Sequence, residues 1–586
     1  MIDDIGEKLA SRPYNCTYIE NPSQDELKRL ARICTPAIIE TSSGSINKVS
    51  RNKARMAKYT YIIEDGHEEK WSHQTITAEK AQELVDAQCE YIENSGTLIA
   101  IDGNIGLGNR AVSATWLYTP EGANIAGMQQ ILAFPCDEDH YPDFTVVYTP
   151  GFRPAGMPGN QAILVDLETW TTYVMGPDYF GESKKAMLRM LNHLVYLEGG
   201  LVLHAGAKAV MKKDGSRILM TVMGLSGTGK TTTTFSKQGD ITEPVQDDMV
   251  CLWPGGELSI TENGCFAKIE GLTSESEPII FAGTVSGEAW LENAFIDLDG
   301  EFDFDKRVLS INEVKKYKDI LVKTGADETN IDMYINGEVH ADSVLDERGI
   351  PSEGWDFVSW TRNGRSIIPM SSIPGAANLE DLPDVRTMGI LNRDEGRDAC
   401  TPGIVRFTSP EQAAGFFMLG ETSKTSAAGK DRGKTRSPFT QPFFPARMGL
   451  QAERFRELAR TMPGVDMWLM NTGYVGGSAN DGEAIKVKIK HSSAMLEALL
   501  ANEIVWKLDP DFGYEVVDTD APQNSGLLEK VPLEILSPCT YYKDSGRFKE
   551  YVEWVYEMKK QRTEFLRNHG VSKEIIDAIS RTPESE

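Results

Sequence analysis

Apolar and polar positions along this chain repeat with the periods of both strands and helices. Short apolar runs at 59–63, 98–101, 144–148, 162–165 and 218–223 predict buried strands. Apolar residues at helical spacing predict helices near 23–33, 184–195 and 545–566. Glycine-rich segments separate many of these elements. The pattern therefore predicts an α/β protein.

One predicted helix begins with two adjacent lysines. Its apolar stripe places Lys184 and Lys185 in the first turn, where the helix dipole disfavours cations. An anion or a metal ion nearby would account for this placement. Two solvent-exposed lysines are the plain alternative.

Two later segments have distinct patterns. Residues 296–350 are rich in Asp, Glu and Lys and have few apolar runs, which predicts an excursion on the surface. Residues 485–491 alternate in a way that predicts a strand with a basic face.

The strongest chemical signal follows the strand predicted at 218–223. From Gly224 to Thr231 the sequence fits G-x-x-x-x-G-K-[ST], the pattern of a loop whose backbone N–H groups surround phosphates. Lys230 would reach the terminal phosphates, and Thr231 would offer its hydroxyl to Mg²⁺. A glycine-rich turn with no ligand is the alternative. The residues predicted to contact the nucleotide here are Gly224, Leu225, Ser226, Gly227, Thr228, Gly229, Lys230, Thr231 and Thr232.

Size and charge restrict the class of protein. The 586 residues suffice for two or more large domains, and a net charge of -27 argues against nucleic acid or anionic membranes as partners. The eight cysteines form no C-x-x-C pair, so no zinc site or disulfide framework is indicated. Without a membrane-length apolar run or a secretory signal, we expect a cytoplasmic protein.

Three further features have two readings each. The four cations within residues 51–58 form either an anion clamp or a solvated loop. The pair Asp247 and Asp248 suits a role in holding the metal of the nucleotide, although acidic pairs are frequent in this chain. His204, inside an apolar strand, is either a hydrogen-bonded core residue or a ligand.

Several short motifs, taken in order, resemble the ATP-dependent phosphoenolpyruvate carboxykinases over about residues 40–510. They lie at 179–185, 203–205, 224–232, 247–248, 262–268, 291–293, 408–413 and 468–473. The resemblance implies two α/β domains with the phosphate loop in the cleft between them. We accordingly predict an N-terminal substrate-binding domain over 1–216 and a C-terminal nucleotide-binding domain over 217–586.

The resemblance also implies an activity. The family moves phosphate between ATP or ADP and oxaloacetate or phosphoenolpyruvate while CO₂ is released or taken up. In this chain Lys185, His204 and Asp248 match the ligands of the transition metal, usually Mn²⁺. A lysine can ligate only as the neutral amine.

Other residues match substrate contacts of the family. Arg55 corresponds to the substrate arginine, Tyr179 to the aromatic hydroxyl beside the carboxylate or CO₂, and Arg365 to the arginine that bridges phosphoryl group and substrate. We expect Lys184 to add positive charge near the enolate. Asp247, Lys486 and Ser492 complete the predicted nucleotide site.

Departures from the family leave alternatives open. Residues 390–403 match only loosely, Lys486 stands where the family has arginine, and 424–430 resembles the mobile lid without its acidic residue. GTP or pyrophosphate as the donor, a kinase of this fold with another acceptor, and a non-catalytic nucleotide-binding regulator are therefore alternatives. The sequence leaves the oligomeric state open.

Overall fold

The computed structural model describes residues 12–54, 56–137, 141–212, 215–225, 228–235, 242–423, 434–441, 443–479 and 481–580, without the side chains of 231 and 232. The chain forms two compact units. One contains Met1–His193 and Thr261–Pro374, and the other contains Leu194–Ile260 and Gly375–Glu586. This division differs from the predicted boundary at 216/217 in two places, because residues 194–216 belong to the second unit and residues 261–374 belong to the first.

The strands of the described chain are β1 (Thr17–Glu20), β2 (Ile38–Glu40), β3 (Ile46–Lys48), β4 (Thr60–Ile63), β5 (Gln74–Ile76), β6 (Thr97–Ile105), β7 (Val112–Tyr118), β8 (Phe144–Thr149), β9 (Ala162–Asp166), β10 (Thr171–Met175), β11 (Leu201–Leu203), β12 (Ala205–Met211), β13 (Arg217–Gly224), β14 (Thr242–Gln246), β15 (Val250–Leu252), β16 (Leu258–Ile260), β17 (Gly264–Lys268), β18 (Trp290–Glu292), β19 (Arg365–Pro369), β20 (Val385–Asn392), β21 (Ile404–Arg406), β22 (Glu421–Ser423), β23 (Lys434–Arg436), β24 (Asp466–Asn471), β25 (Tyr474–Val475), β26 (Ile485–Lys486), β27 (Trp506–Leu508) and β28 (Glu515–Val517).

The α-helices are α1 (Gln24–Cys34), α2 (Ala78–Ser95), α3 (Ala123–Leu132), α4 (Gly181–Leu197), α5 (Lys230–Phe235), α6 (Pro278–Val285), α7 (Ile311–Lys323), α8 (Glu328–Ile335), α9 (Ala341–Val344), α10 (Pro410–Leu419), α11 (Gly449–Arg460), α12 (Ile489–Leu500), α13 (Ser525–Leu528), α14 (Leu533–Leu536), α15 (Pro538–Asp544), α16 (Phe548–Asn568) and α17 (Lys573–Ser580). The mixture confirms the predicted α/β class.

The first unit contains two mixed sheets. Eight strands follow the order β1-β6-β7-β8-β10-β9-β4-β5, and five follow the order β17-β19-β18-β3-β2. The strands predicted at 59–63, 98–101, 144–148 and 162–165 are confirmed as β4, β6, β8 and β9. Helix α1 begins after Ser23, whose hydroxyl accepts the Glu26 N–H, as expected of a helix cap.

The second unit is built on an eight-stranded sheet of order β14-β12-β13-β20-β24-β21-β28-β27. Its central strands β13, β20 and β24 are parallel neighbours, so their carboxyl ends, Gly224, Asn392 and Asn471, lie at one edge. Ligands of parallel sheets bind at such an edge. The remaining sheets are β11-β15-β16, β22-β23 and β25-β26.

The segment 296–350 is more than the surface excursion predicted from its composition. Helices α7 to α9 pack around an apolar cluster that includes Val314, Tyr317 and Leu321. Ser310 and Glu313 cap the start of α7 reciprocally. These three apolar residues at helical spacing, directly after a capping box, predict a buried helix. The charged composition of the segment made this pattern easy to overlook.

The strand predicted over 485–491 is wrong beyond its first two residues. β26 ends at Lys486, and α12 begins at Ile489. His491 Nδ1 accepts the Lys488 N–H at 3.3 Å, which helps to start the helix. Buried Met495 and Leu499 lie on one face of α12, and their burial favours the helix over a longer strand.

No helix in the described part of the chain combines the length and the apolar character that crossing a bilayer requires.

Candidate active site

The phosphate-loop sequence connects a strand to a helix, as its pattern predicts. β13 ends at Gly224, and α5 begins at Lys230. Within the turn, the Thr228 hydroxyl donates to the Leu225 carbonyl at 2.8 Å. Gly229 has a φ of +89°, a conformation that strains residues with a β-carbon. The local geometry therefore requires glycine at this position.

Some predicted residues cannot be placed. Arg55, Ser226 and Gly227 lie outside the described residues, and so do the side chains of Thr231 and Thr232. Their assignments remain predictions.

A second strand supports the phosphate loop. The hydroxyl of Thr472, just after β24, donates to the Thr228 carbonyl at 3.0 Å. The Thr472 N–H donates to the carbonyl of Asn392 at the end of β20. Thr472 therefore joins the ends of β20 and β24 to the phosphate loop, a role that its sequence did not reveal.

Lys230 and His204 both contact Asp248. Lys230 Nζ lies 3.4 Å from Asp248 Oδ1, and His204 Nε2 lies 3.0 Å from the same oxygen. The other ring nitrogen of His204, Nδ1, lies 3.0 Å from the Phe439 carbonyl oxygen. A carbonyl can only accept, so His204 Nδ1 carries a proton there. The neighbouring Asp247 is buried.

This arrangement suits cation binding. In a neutral His204 with its proton on Nδ1, Nε2 is an acceptor that faces the carboxylate oxygen of Asp248. Two acceptors 3.0 Å apart require a cation or a proton between them. No group of three His, Cys, Asp or Glu side chains that could hold a metal occurs among the described residues.

Lys486 and Ser492, which the sequence assigns to the nucleotide site, lie on β26 and α12. Lys486 Nζ lies 5.0 Å from the centre of the Tyr474 ring and 3.4 Å from its hydroxyl oxygen. Ser492 lies in the first turn of α12, and its N–H donates to the Lys488 carbonyl.

In the first unit, the two adjacent lysines lie near the start of α4, as predicted. Lys185 is buried. Lys184 is completely buried, with Nζ 2.7 Å from the Glu262 carboxylate and 5.0 Å from the centre of the Phe266 ring. Glu262 therefore balances the charge of this buried ammonium group, and the enolate contact of Lys184 remains a prediction.

Tyr179 and Arg365 are brought together by Asn363. The Asn363 amide donates to the Tyr179 hydroxyl at 3.1 Å, and its oxygen accepts from Arg365 Nη2 at 2.9 Å. The Arg365 guanidinium lies over the Phe266 ring, 4.8 Å from its centre. Burial raises the pKa of Tyr179 above its usual range, so the phenol keeps its proton at neutral pH.

A buried carboxyl group lies in the same sheet. Glu292 is completely buried on β18, where it pairs with Arg365 on β19, and Glu292 Oε1 accepts the Phe180 N–H at 2.9 Å. Burial raises the pKa of Glu292 to about 8, with a smaller contribution from Asp178. Glu292 is therefore mostly protonated at neutral pH.

Asp178 stays charged in the same region. Burial acts to raise its pKa, but the charges of Lys48 and Arg51, with N–H groups from Arg51 and Asn52, outweigh burial and lower it. Both N–H groups donate at 2.9 Å. Asp178 thus fixes the start of the basic segment 51–58.

The predicted site residues divide between the units. Tyr179, Lys184, Lys185 and Arg365 belong to the first unit, whereas the phosphate loop, His204, Asp247, Asp248, Lys486 and Ser492 belong to the second. Sequence reasoning assigned no role to Glu262, Glu292, Asn363 or Thr472. Each lies in or beside a motif already singled out. This proximity is the feature of the sequence by which they could have been identified.

Comparison with known proteins agrees with the sequence resemblance. Residues 17–332 and 339–523 match the model of the ATP-type family described as phosphoenolpyruvate carboxykinase. The phosphoenolpyruvate carboxykinase (ATP) of Afipia carboxidovorans is 27% identical over 528 residues, which cover 86% of this chain and 84% of that protein. The enzyme of the same name from Aeropyrum pernix is 27% identical over 497 residues, covering 83% of each chain. All predicted site residues lie within the matched ranges.

Proposed function

Because the chain belongs to the ATP-dependent phosphoenolpyruvate carboxykinase family, we propose that it interconverts oxaloacetate and ATP with phosphoenolpyruvate, ADP and CO₂. The observation that best supports this reaction is the connected group of Tyr179, Asn363 and Arg365. It offers a phenol and a guanidinium to a small dianion, in a chain that also carries a phosphate loop.

Two half-reactions are required. In the first, the C–C bond to the departing carboxylate breaks, CO₂ leaves, and the electron pair forms the enolate of pyruvate. In the second, the enolate oxygen attacks the γ-phosphorus while the bond to the ADP oxygen breaks. Atoms and charge balance without any redox partner.

The residues of the first unit serve the substrate. Arg365 would bind a substrate carboxylate or the transferring phosphoryl group through its planar fork. Tyr179, protonated at neutral pH, would donate to the carboxylate that becomes CO₂. Arg55 is the further cation that we assign to oxaloacetate.

The residues of the second unit serve the nucleotide. Lys230 and the N–H groups of the turn would hold the phosphates, and Asp247, Lys486 and Ser492 would complete the nucleotide site. Lys230 would bring positive charge to the phosphoryl oxygens as charge develops during in-line transfer.

Two metal ions complete the proposal. The 3.0 Å distance between His204 Nε2 and Asp248 Oδ1 supports assigning Mn²⁺ to these two residues together with Lys185. We assign Mg²⁺ to Thr231. When bound, such ions stabilise the negative charge of the enolate and of the triphosphate. We place the reaction in a cleft between two domains on the basis of the family resemblance.

The test is a parallel assay with ATP, GTP and pyrophosphate. Purified protein receives oxaloacetate, Mn²⁺ and Mg²⁺, and both CO₂ release and phosphoenolpyruvate are measured. We expect ATP to support stoichiometric formation of both products. Preference for GTP or pyrophosphate would reassign the donor. Phosphoryl transfer without CO₂ would indicate a kinase, and nucleotide binding without turnover would indicate a regulator.

A further inference from the structure

The last helices of the chain contact loops beside the predicted nucleotide site. The family match ends at residue 523, and helices α13 to α17 follow it, all within the second unit. We call residues 393–401, after β20, the first loop, and residues 476–484, after β25, the second loop. Residue 480 lies outside the described part of the second loop.

Arg547, just before α16, bridges the two loops. Its Nη1 donates to the Gly476 carbonyl at 2.9 Å, and its Nη2 donates to the Arg397 carbonyl at 2.9 Å. Its Nε lies 3.3 Å from Glu550 Oε2. The guanidinium also lies 5.3 Å from the centre of the Trp554 ring. All three nitrogen atoms of the side chain are thus held in one orientation.

Two tyrosines reinforce the same contacts. The Tyr542 hydroxyl lies 2.9 Å from the Arg397 carbonyl oxygen and 2.8 Å from that of Ala399. The Tyr541 hydroxyl donates to the Glu483 carbonyl at 3.0 Å. Since Glu483 lies two residues before β26, the contact fixes the approach to this strand.

The two loops are themselves joined. The Gly396 N–H donates to the Gly477 carbonyl at 3.0 Å, and the Gly476 N–H donates to the Ala399 carbonyl at 2.8 Å. The contacts of Arg547 therefore add a third connection at the point where the two loops meet.

Both loops continue from elements of the predicted nucleotide site. Leu391, two residues before the first loop, pairs with Gly224, the first residue of the phosphate loop. The backbone carbonyl of Asp394 in the first loop accepts a hydrogen bond from the Tyr474 N–H at 2.7 Å. Tyr474 pairs in turn with Lys486. A displacement of either loop would therefore move the backbone beside both the phosphates and the base.

We propose that Arg547 is a positioning residue for the nucleotide, acting through the first and second loops; this inference rests on the proposed function. The guanidinium fork holds the loops in one arrangement before ATP binds. Without the fork, ATP must order the loops as it binds, and the cost of that ordering weakens its binding. Oxaloacetate, assigned to residues of the first unit, should bind as before.

The test compares Arg547→Met with Arg567→Met. Arg567 lies on α16 and is exposed, so its variant is the matched control. We expect Arg547→Met to raise the KM for ATP and the Kd of a fluorescent ADP analogue by about tenfold, because part of the binding free energy must then order the two loops. The KM for oxaloacetate should change less than twofold, and Arg547→Lys should recover part of the loss. The control should match the wild type.

Each other outcome is decisive. An unchanged ATP KM in folded Arg547→Met overturns the inference, and so does an equal rise in both KM values. If Arg547→Met does not fold, the KM for ATP and the KM for oxaloacetate are compared in Arg547→Lys and Tyr542→Phe instead. A rise in the KM for ATP alone supports the inference, and its absence overturns it. A wild type that binds the ADP analogue but turns over no oxaloacetate refutes the proposed function, and the Kd measurement still tests Arg547.

Discussion

Replacement of Glu292 by glutamine should change how stability depends on pH. The carboxyl group is completely buried, and its Oε1 accepts the Phe180 N–H. Burial is the largest cause that raises its pKa to about 8, and Lys48 and Arg365 oppose the rise only in part. Glutamine has the same shape as protonated glutamate and can accept the same N–H bond. The variant should therefore resemble the acid form at every pH.

The magnitude follows from the pKa of Glu292. In the unfolded chain this pKa is near 4.5, so the folded state binds a proton more tightly. The stabilisation is fully present below pH 4.5 and is lost as the pH rises through about 8. At about 1.36 kcal/mol per pKa unit, the full difference is roughly 5 kcal/mol. The wild type should lose this much relative to Glu292→Gln between pH 4.5 and pH 9.

Urea unfolding followed by circular dichroism at pH 5, 6, 7, 8 and 9 measures the difference. Glu275→Gln, at an exposed position, is the control and should run parallel to the wild type. We expect the free energy of unfolding of Glu292→Gln to increase steadily relative to that of the wild type from pH 5 to pH 8. If the two curves stay parallel, Glu292 ionises normally, and the reasoning from burial is wrong.

Three further changes test the site. Arg365→Lys should lower turnover by about a hundredfold, because an ammonium cannot reproduce the bidentate fork; near-normal steady-state turnover would mean that the arginine is misassigned. Lys230→Ala should abolish phosphoryl transfer but keep some metal-dependent decarboxylation to pyruvate, whereas His204→Ala should lose both; if Lys230→Ala loses both partial reactions as completely as His204→Ala, the assigned division of roles is wrong. Glu262→Gln should destabilise the protein by about 3–5 kcal/mol in urea titration, because it leaves the Lys184 ammonium buried without this carboxylate, and unchanged stability would refute the ion pair.

The elements that sequence predicts well are those encoded by local patterns. The strand before Gly224 and the helix from Lys230 follow from an apolar run, glycines and a lysine at fixed spacing. The lysines near the start of α4 follow from helical periodicity. Each of these patterns occupies fewer than about twenty residues, so a single segment contains all the information.

Contacts between distant segments could not be predicted in this way. Lys184 and Glu262 are 78 residues apart, Phe180 and Glu292 are 112 apart, and Tyr179 and Asn363 are 184 apart. Composition identifies the charged residues but not which of them meet. For Lys184, the sequence shows the helical position of the lysine but not its buried partner Glu262.

Local reasoning also failed where tertiary burial selects the element. The alternation over 485–491 favours a strand, but β26 ends at Lys486 and a helix begins at Ile489. The helix that follows buries Met495 and Leu499 in the core of the second unit. Tertiary burial therefore outweighs the local pattern here.

The buried carboxyl groups of the first unit affect how much positive charge Arg365 could present to the anionic substrate that we propose for it. Glu262 neutralises Lys184, and charged Asp178 lies 3.4 Å from the Lys48 ammonium. Glu292 lies beside Arg365 in the sheet, yet burial keeps it mostly protonated below about pH 8, so it places little negative charge beside the Arg365 guanidinium at neutral pH. In a chain of net charge -27, attraction of an anion depends on this local arrangement rather than on overall composition.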